Sequence, residues 1–572
     1  MEAGKRTISQ ICDYNRVLEI PFFQRSYVWD EENWDRFLDD MIFVSQENKD
    51  YFMGSIILKQ KETPSDGSIG DWRVIVDGQQ RLTTLTLFFK ELCRVQDRYD
   101  DFLRIFINRK KEVLLKHNHN DVEIFEAIVN DKLSKELSQD HKESSILACH
   151  EYFRNKDDVL KDIRFDTLLN KIYFVGIDLG REEDEQQIFD TINSLGVSLT
   201  TAELLKNELF RREDEGLYNK TWKTAFESDN RAYWSQDITA GRQKRENIDL
   251  LLQSYLLLQG EGKDKYTHLE SLFKNYKVLI KDKGVDHGTK SHEHFINGLM
   301  ESADLYKRHI IPHLTSEAID SKSHIERLNL IIFGLNTTTI IPYLVYIFQE
   351  VDDLSERENM FRLLENYLIR RFICKETTKN YNNLFVSFVR SKINSYQALH
   401  DKIYNAENQT DILPDDVAFG NGFSESNLTN QQAKTILYLL EISMRDQQKE
   451  STAVLGLDHY SLEHIMPKKW RNNWDNGLDE EAARKRDQLL LKLGNLTIIT
   501  SSLNSSIRDQ SWKSKKRGNN GKKGLDEYSK GIKIFDTPDF LQSSIWDEEK
   551  VSERSSFLSQ NALDIWPYDK PM

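Results

Sequence analysis

Trp72-Arg73-Val74-Ile75-Val76-Asp77-Gly78-Gln79-Gln80-Arg81-Leu82-Thr83-Thr84-Leu85 reads as a strand, a tight turn and the start of a helix. Residues 72–76 are rich in β-branched and aromatic side chains, and Asp77-Gly78 is a turn pair. From Arg81 onward, Leu82, Leu85 and Phe88 recur at helical spacing. Working outward, residues 51–58 form a second buried strand, followed by the turn text Thr63-Pro64-Ser65-Asp66-Gly67. A further strand is predicted over 172–178 and a helix over 185–192. Beyond about residue 211 the chain is nearly all amphipathic helix, with examples at 248–258, 360–374 and 381–393. Asn, Asp, Gly and Pro collect at 405–430, which reads as a linker. The reading is an α+β protein, predominantly helical, in three domains: 1–210, a helical coupling region 211–430, and 431–572.

The bulk composition agrees. A chain of 572 residues is too long for one ordinary core and calls for two to four domains. With 9 Pro and 25 Gly it carries no long disordered linker. A net charge of −15 argues against a simple DNA coat but leaves room for a local basic groove. Cys12, Cys93, Cys149 and Cys374 are far apart with no C-x-x-C, which argues against a zinc site or a disulfide framework and fits the cytoplasm. The first residues lack the apolar core of a secretory leader. Residues 328–349 carry no charge, but Gly334, the run at 336–339 and Pro342 interrupt them. They read as two buried helix pieces rather than a membrane span, which needs about 20 apolar residues.

Two groups of residues carry chemistry. Near the C-terminus stand Tyr460-Ser461-Leu462-Glu463-His464-Ile465-Met466-Pro467, then Leu493-Gly494-Asn495-Leu496-Thr497 leading to Asn504, then Trp512-Lys513-Ser514-Lys515-Lys516-Arg517. Phosphodiester hydrolysis needs a base, a cation to stabilise charge on phosphorus, and positive side chains to hold the backbone. His464 is basic near neutral pH. Glu463, on the opposite strand face, and Asn504 offer hard oxygens that suit Mg²⁺ or Mn²⁺. Asn495 can hydrogen-bond the backbone near His464, and Lys513, Lys515, Lys516 and Arg517 read as a phosphate-binding patch for DNA. A Glu-His pair or a lysine run alone is usually structural; the set in this order favours a nuclease.

At the N-terminus stand Ile20-Pro21-Phe22-Phe23-Gln24-Arg25-Ser26-Tyr27-Val28-Trp29, the Asp77-Gly78-Gln79-Gln80-Arg81 turn, and Ile188 to Leu199 running into Glu203-Leu204-Leu205-Lys206-Asn207. A helix start with free N–H groups binds anions, Arg81 adds a planar fork, and Thr83 a hydroxyl. The plain alternative is that Asp77 and Gly78 only turn and cap. Phe23, Tyr27 and Trp29 either form an aromatic surface that senses a modified base or belong to the core. Arg370-Arg371 either touches DNA or sits in a surface ion pair.

Taken together, these motifs resemble the GmrSD-type, type IV modification-dependent restriction endonucleases. The C-terminal set resembles their HNH (ββα-metal, His-Me finger) domain and the N-terminal set their ParB-like domain. Trp512 stands where the family more often has Phe, and Glu463 where other HNH enzymes commonly have Asp. The resemblance implies His464 as general base supported by Asn495, with Glu463 and Asn504 as metal ligands and Lys515 as the matching lysine. It implies a pocket that binds and hydrolyses an NTP (GTP or ATP), built from Asp77, Gly78, Gln79, Gln80, Arg81 and Thr83, with Gln24 and Arg25 nearby. The implied activity is anti-phage cleavage of DNA, modified phage DNA in particular, under NTP control. Homo-oligomerisation stays open and no membrane partner is expected. A nucleotide-dependent DNA-binding regulator with an inactive HNH fold, and an RNase or toxin, are the alternatives.

Overall fold

The computed structural model describes residues 2–21, 24, 26–61, 71–117, 121–180, 200–210, 214–240, 243–263, 266, 271–425, 427–445, 454–474, 477–519, 521–528, 532–537 and 540–568. The helix expected at 185–192, Phe23 and Arg25 fall outside these residues. The fold is α+β and rich in helix. It divides into two compact units, Met1–Tyr218 and Asn219–Met572.

The first unit is built on a mixed sheet of β1 (Glu2–Thr7), β2 (Arg16–Glu19), β3 (Tyr51–Gln60), β4 (Asp71–Asp77), β5 (Leu115–Lys116) and β6 (Ile172–Leu179). Their order is β1-β6-β3-β4-β2-β5, with β3 and β4 antiparallel and β3 parallel to β6. Helices α1 (Glu31–Glu47), α2 (Gln79–Val95) and α3 (Ser145–Arg154) belong to the same unit. The chain leaves β4 at Asp77 and enters α2 within one residue. That is possible because Gly78 sits at φ +102° as N-cap; a Cβ there would lie 2.9 Å from the Ile56 side chain. The helix therefore begins at Gln79 rather than at Arg81. Leu82, Leu85, Phe88, Phe89 and Leu92 of α2 are all buried, each contributing roughly 2 kcal/mol. Phe88 meets Phe37 of α1 and Phe153 of α3 edge-on, at centroid distances of 5.3 and 5.4 Å.

The second unit is mainly helical, with a short hairpin of β7 (Asp237–Ala240) and β8 (Gln243–Glu246) and an antiparallel pair of β9 (Tyr460–His464) and β10 (Leu496–Thr500). The expected helices lie at Asn247–Gln259, at α5 (Leu354–Ile373) and at Tyr381–Arg390. α5 starts earlier than its apolar spacing shows, because Asp353 caps a polar first turn by accepting from the Glu356 amide. The uncharged segment splits into α4 (His324–Gly334) and Ile341–Glu350, both largely buried. Among the described residues no helix is long and apolar enough to cross a membrane.

Two expectations need correction here. Residues 405–430 are not a bare linker: the helix Asp416–Glu425 lies within them, packs against α9 (Glu548–Ile565) and buries Phe419 and Phe423 fully. Arg370 and Arg371 are buried and do not reach out to DNA; Arg370 pairs with the exposed Asp416 carboxylate at 2.5 Å, and Arg371 forms no surface ion pair among the described residues. Both are fully buried, and Arg370 donates to the carbonyls of Pro414 and Trp566 while Arg371 donates to those of Ile412 and Thr377. Guanidinium groups at the end of α5 thus satisfy the backbone of a segment without regular structure.

Candidate functional site

In the second unit, β9 and β10 pair antiparallel with Leu496 opposite His464 and Thr497 opposite Glu463. α7 (Ser501–Ile507) follows β10 directly, with Thr500 as its N-cap. Neighbouring side chains on a strand point to opposite faces, so Glu463 and His464 cannot share one. Glu463 takes the interior, at 5% exposure. Its carboxylate pairs with the ammonium of Lys515 on α8 (Trp512–Arg517), which also donates to the His464 carbonyl at 2.8 Å. Burial pushes the Glu463 carboxyl up and the Lys515 ammonium down, and each opposes the other's shift through its charge. The hard oxygen expected of Glu463 is thus engaged by a cation of the chain itself.

His464 is half-buried, and its Nε2, itself buried, has no hydrogen-bond partner among the described residues. Burial, with Lys468 and Lys515 adding to it, lowers its pKa to about 4, so the ring is neutral. Asn504 on α7 donates its amide nitrogen to the Leu462 carbonyl at 3.3 Å, beside His464 along β9. Asn495 fixes the segment that follows. It is completely buried; its Oδ1 accepts from the Met466 amide at 2.8 Å and from the Trp546 indole at 3.1 Å. Its Nδ2 donates to the carbonyls of Met466 and Leu490 at 2.9 and 3.1 Å, and its own carbonyl accepts from the Ile465 amide.

Two further residues make this turn. Arg554 of α9, fully buried, donates to the carbonyls of Leu493, Gly494, Leu496 and Ile534. Gly494 lies so close to α9 that a Cβ would sit 2.1 Å from the Val551 carbonyl. Sequence reading missed Arg554 and Trp546; a lone Arg in a helix 58 residues after Leu496 gives no local signal. The expected lysine patch divides by helix periodicity. Trp512, Lys515 and Lys516 face inward, with Lys516 donating to the Ser543 carbonyl, while Lys513 and Arg517 are exposed.

In the first unit, Asp77 closes β4 and Arg81 lies one turn into α2. Arg81 donates to the Ser55 carbonyl at 2.8 Å and lies 3.5 Å from Asp77, whose carboxylate also accepts from the Ser55 hydroxyl. Gln80 is buried and accepts from the Val28 amide at 2.9 Å. Gln24 donates to the Ile75 carbonyl at 2.9 Å. Both glutamines therefore hold the 24–28 segment against the sheet and helix. Tyr27 takes the core position that was the alternative to an aromatic surface. It is 5% exposed, its amide donates to Asp121, and its hydroxyl accepts from the Trp34 indole and pairs with Thr84. Trp29 is half-buried against the same core. Thr83 bonds the Nε2 of His117 at 2.9 Å.

The model of the GmrSD restriction endonuclease N-terminal domain matches residues 8–210, and that of the GmrSD restriction endonuclease C-terminal domain matches residues 413–561. The chain belongs to the GmrSD restriction endonuclease family. Membership makes it a type IV restriction endonuclease, a nuclease of phage defence with DNA as substrate. No curated protein matches it. The GmrSD C-terminal match takes in the helix Asp416–Glu425 together with α9, the two elements that pack on each other. The GmrSD N-terminal match contains His117 and Asp121, which sequence reading passed over. Burial lowers His117 to about 3 and raises Asp121 to about 6. Their signal in the sequence is the polar run from Lys116 to Asp121, which follows the apolar Val113-Leu114-Leu115.

Proposed function

We propose that the protein is a divalent-metal-dependent DNA endonuclease of the HNH type that cuts modified foreign DNA under the control of a bound nucleotide. One observation carries this reading: a neutral His464, its Nε2 unpartnered among the described residues, at the end of a strand in a two-strand-and-helix frame, with Asn504 on the helix. Mg²⁺ or Mn²⁺ fits the donor chemistry of the Asn504 amide oxygen and the Glu463 carboxylate, provided Glu463 parts from Lys515. When bound, such an ion supplies positive charge to the phosphate under attack. His464 takes the proton from the attacking water, and the water oxygen forms its bond to phosphorus as the leaving oxygen departs. Asn495 keeps the Ile465–Met466 backbone, and so the His464 ring, in place. Lys513 and Arg517 hold the backbone phosphates.

In the N-terminal unit, Arg81 and the amide end of α2 favour the phosphates of GTP or ATP, and Asp77 holds a metal-bound water or polarises the attacking one. Gly78 and Gln79 bring the chain close to them, Gln24 and Gln80 support the neighbouring loop, and Thr83 couples to His117. ParB-like ancestry of this unit belongs to the same reading.

The test is gel cleavage of modified and unmodified DNA with Mg²⁺ and NTP. Modified DNA should be cut by the native protein, and EDTA or His464→Ala should abolish cutting. Arg81→Ala should remove the nucleotide dependence. Equal cutting by His464→Ala would overturn the assignment of the base, and an unchanged NTP requirement in Arg81→Ala that of the pocket.

A further inference from the structure

A cavity of about 460 Å³ opens in the second unit where α5 meets the first turn of α4 and the C-terminal ends of α6 (Asn430–Met444) and α9. None of its lining residues takes part in the chemistry described above. Lys322, His324, Arg327, Arg362 and Arg445 line it, against one carboxylate, Glu365. This is a concentration of cations in a chain of net charge −15.

The carboxylate does not cancel them. Both Glu365 oxygens are saturated: Arg327 donates to Oε1 at 2.5 Å and to Oε2 at 2.8 Å, the His324 ring bonds Oε2 at 2.7 Å, and the Trp566 indole donates to Oε1 at 2.6 Å. Burial alone would raise this carboxyl, but Arg327 and His324 hold it at about 2, so it is ionised and fully occupied. Arg445 is paired with Glu441 at 2.7 Å. Glu326 and Glu358 accept from the amides of Asp320 and His324, and neither lines the cavity. That leaves Lys322 and Arg362 at the rim. Both are exposed, and the charged group of neither has a partner among the described residues. Arg362 lies on α5 one turn before Glu365, so it faces the same space.

We propose that this cavity binds a small phosphorylated ligand of nucleotide size, with Arg362 and Lys322 on its phosphate and the Arg327–Glu365 network as the floor. The volume falls within the roughly 300–1,000 Å³ of small-molecule sites, and a guanidinium fork matches phosphate oxygens. Ile565 and Trp566 give one wall apolar surface for the organic part. The concavity favours a free ligand over a duplex, whose phosphates are met by protruding side chains.

Isothermal titration of the full-length protein tests this with pyrophosphate, ATP, GTP and a short DNA duplex as probes. Arg362→Glu and Lys322→Glu change exposed side chains and leave the buried network in place; Arg81→Ala removes the N-terminal pocket. With Arg81→Ala as background, pyrophosphate and nucleotide binding should remain, and adding either charge reversal should weaken both by about tenfold or more. Isotherms unchanged by both reversals overturn the proposal. So does weakening confined to the duplex, which would make the rim a DNA contact, or binding of pyrophosphate without either nucleotide.

Discussion

Replacing Asn495 tests how the His464 site is held. Asn495→Ala removes four side-chain bonds at once: two to Met466, one to Leu490 and one to Trp546. The residue is fully buried, so the groups left behind have no ready access to water. An unsatisfied buried polar group costs about 1–3 kcal/mol. With partial relaxation of the two carbonyls, the total comes to about 4 kcal/mol. At about 2–4 °C per kcal/mol for a large domain, the melting temperature of the second unit should fall by roughly 10 °C. Asn495→Asp keeps the shape but turns an oxygen toward the Met466 and Leu490 carbonyls, so it should cost at least as much. Scanning calorimetry reads the melt, and single-turnover cleavage of DNA well below it reads the chemistry. The rate should fall tenfold or more, since small misplacements of a base cost that much, while DNA affinity stays the same. An Asn495→Asp protein that melts and cleaves like the native one would refute the claim that these bonds position His464.

Four further outcomes follow from the two units. Lys513→Ala and Arg517→Ala should each lower the salt dependence of DNA binding by about one counterion, in log–log slope, as read by fluorescence anisotropy across a salt series. Lys516→Ala should leave that slope alone and lower stability, because its ammonium is tied to the Ser543 carbonyl. His117 has a native pKa of about 3 against 6.5 when free, so its contribution to stability is present above pH 6.5 and is lost as pH falls toward 3. That loss reaches about 5 kcal/mol. Asp121, raised to about 6, acts in the opposite sense and loses its contribution as pH rises through 6. Hydrogen exchange of α2 amides in His117→Gln should therefore lose the weakening on the acid side and keep the weakening between pH 4 and 6 on the way up. Tyr27→Phe should destabilise the first unit by about 1 kcal/mol and leave discrimination between modified and unmodified DNA intact; altered discrimination in a cleavage assay would return Tyr27 to a sensing role.

The strand–turn–helix at 72–85 could be read from sequence because each signal in it is local: β-branched residues, Asp-Gly, then apolar side chains at helical spacing. The same holds for the β9 and β10 strands with Asn495 between them, where a buried amide beside a glycine bonds the nearby backbone. Arg554, Trp546 and the Arg327–Glu365 network could not be read this way. Each acts on residues tens of positions distant, and an arginine that satisfies buried carbonyls looks in sequence like an arginine in solvent.

Glu463 and the lysine run show where periodicity had more to give. Motif letters say which side chains are present, not which face they take. Adjacent strand residues must part, so with His464 on one face Glu463 takes the other, the interior, and a buried carboxylate needs a cation. In the run 512–517, helical spacing places Lys515 and Lys516 on the face of Trp512 and turns Lys513 and Arg517 away. Taken together, the two periodicities pair Glu463 with a lysine of the inward face and leave two of the four basic residues for DNA. The pair carries a consequence for the chemistry. Any cation that enters beside Glu463 does so by exchange with the Lys515 ammonium, so metal affinity should rise in Lys515→Met, if that variant folds. Isothermal titration with Mn²⁺ measures it, and an affinity equal to the native one would show that Glu463 does not bind the ion.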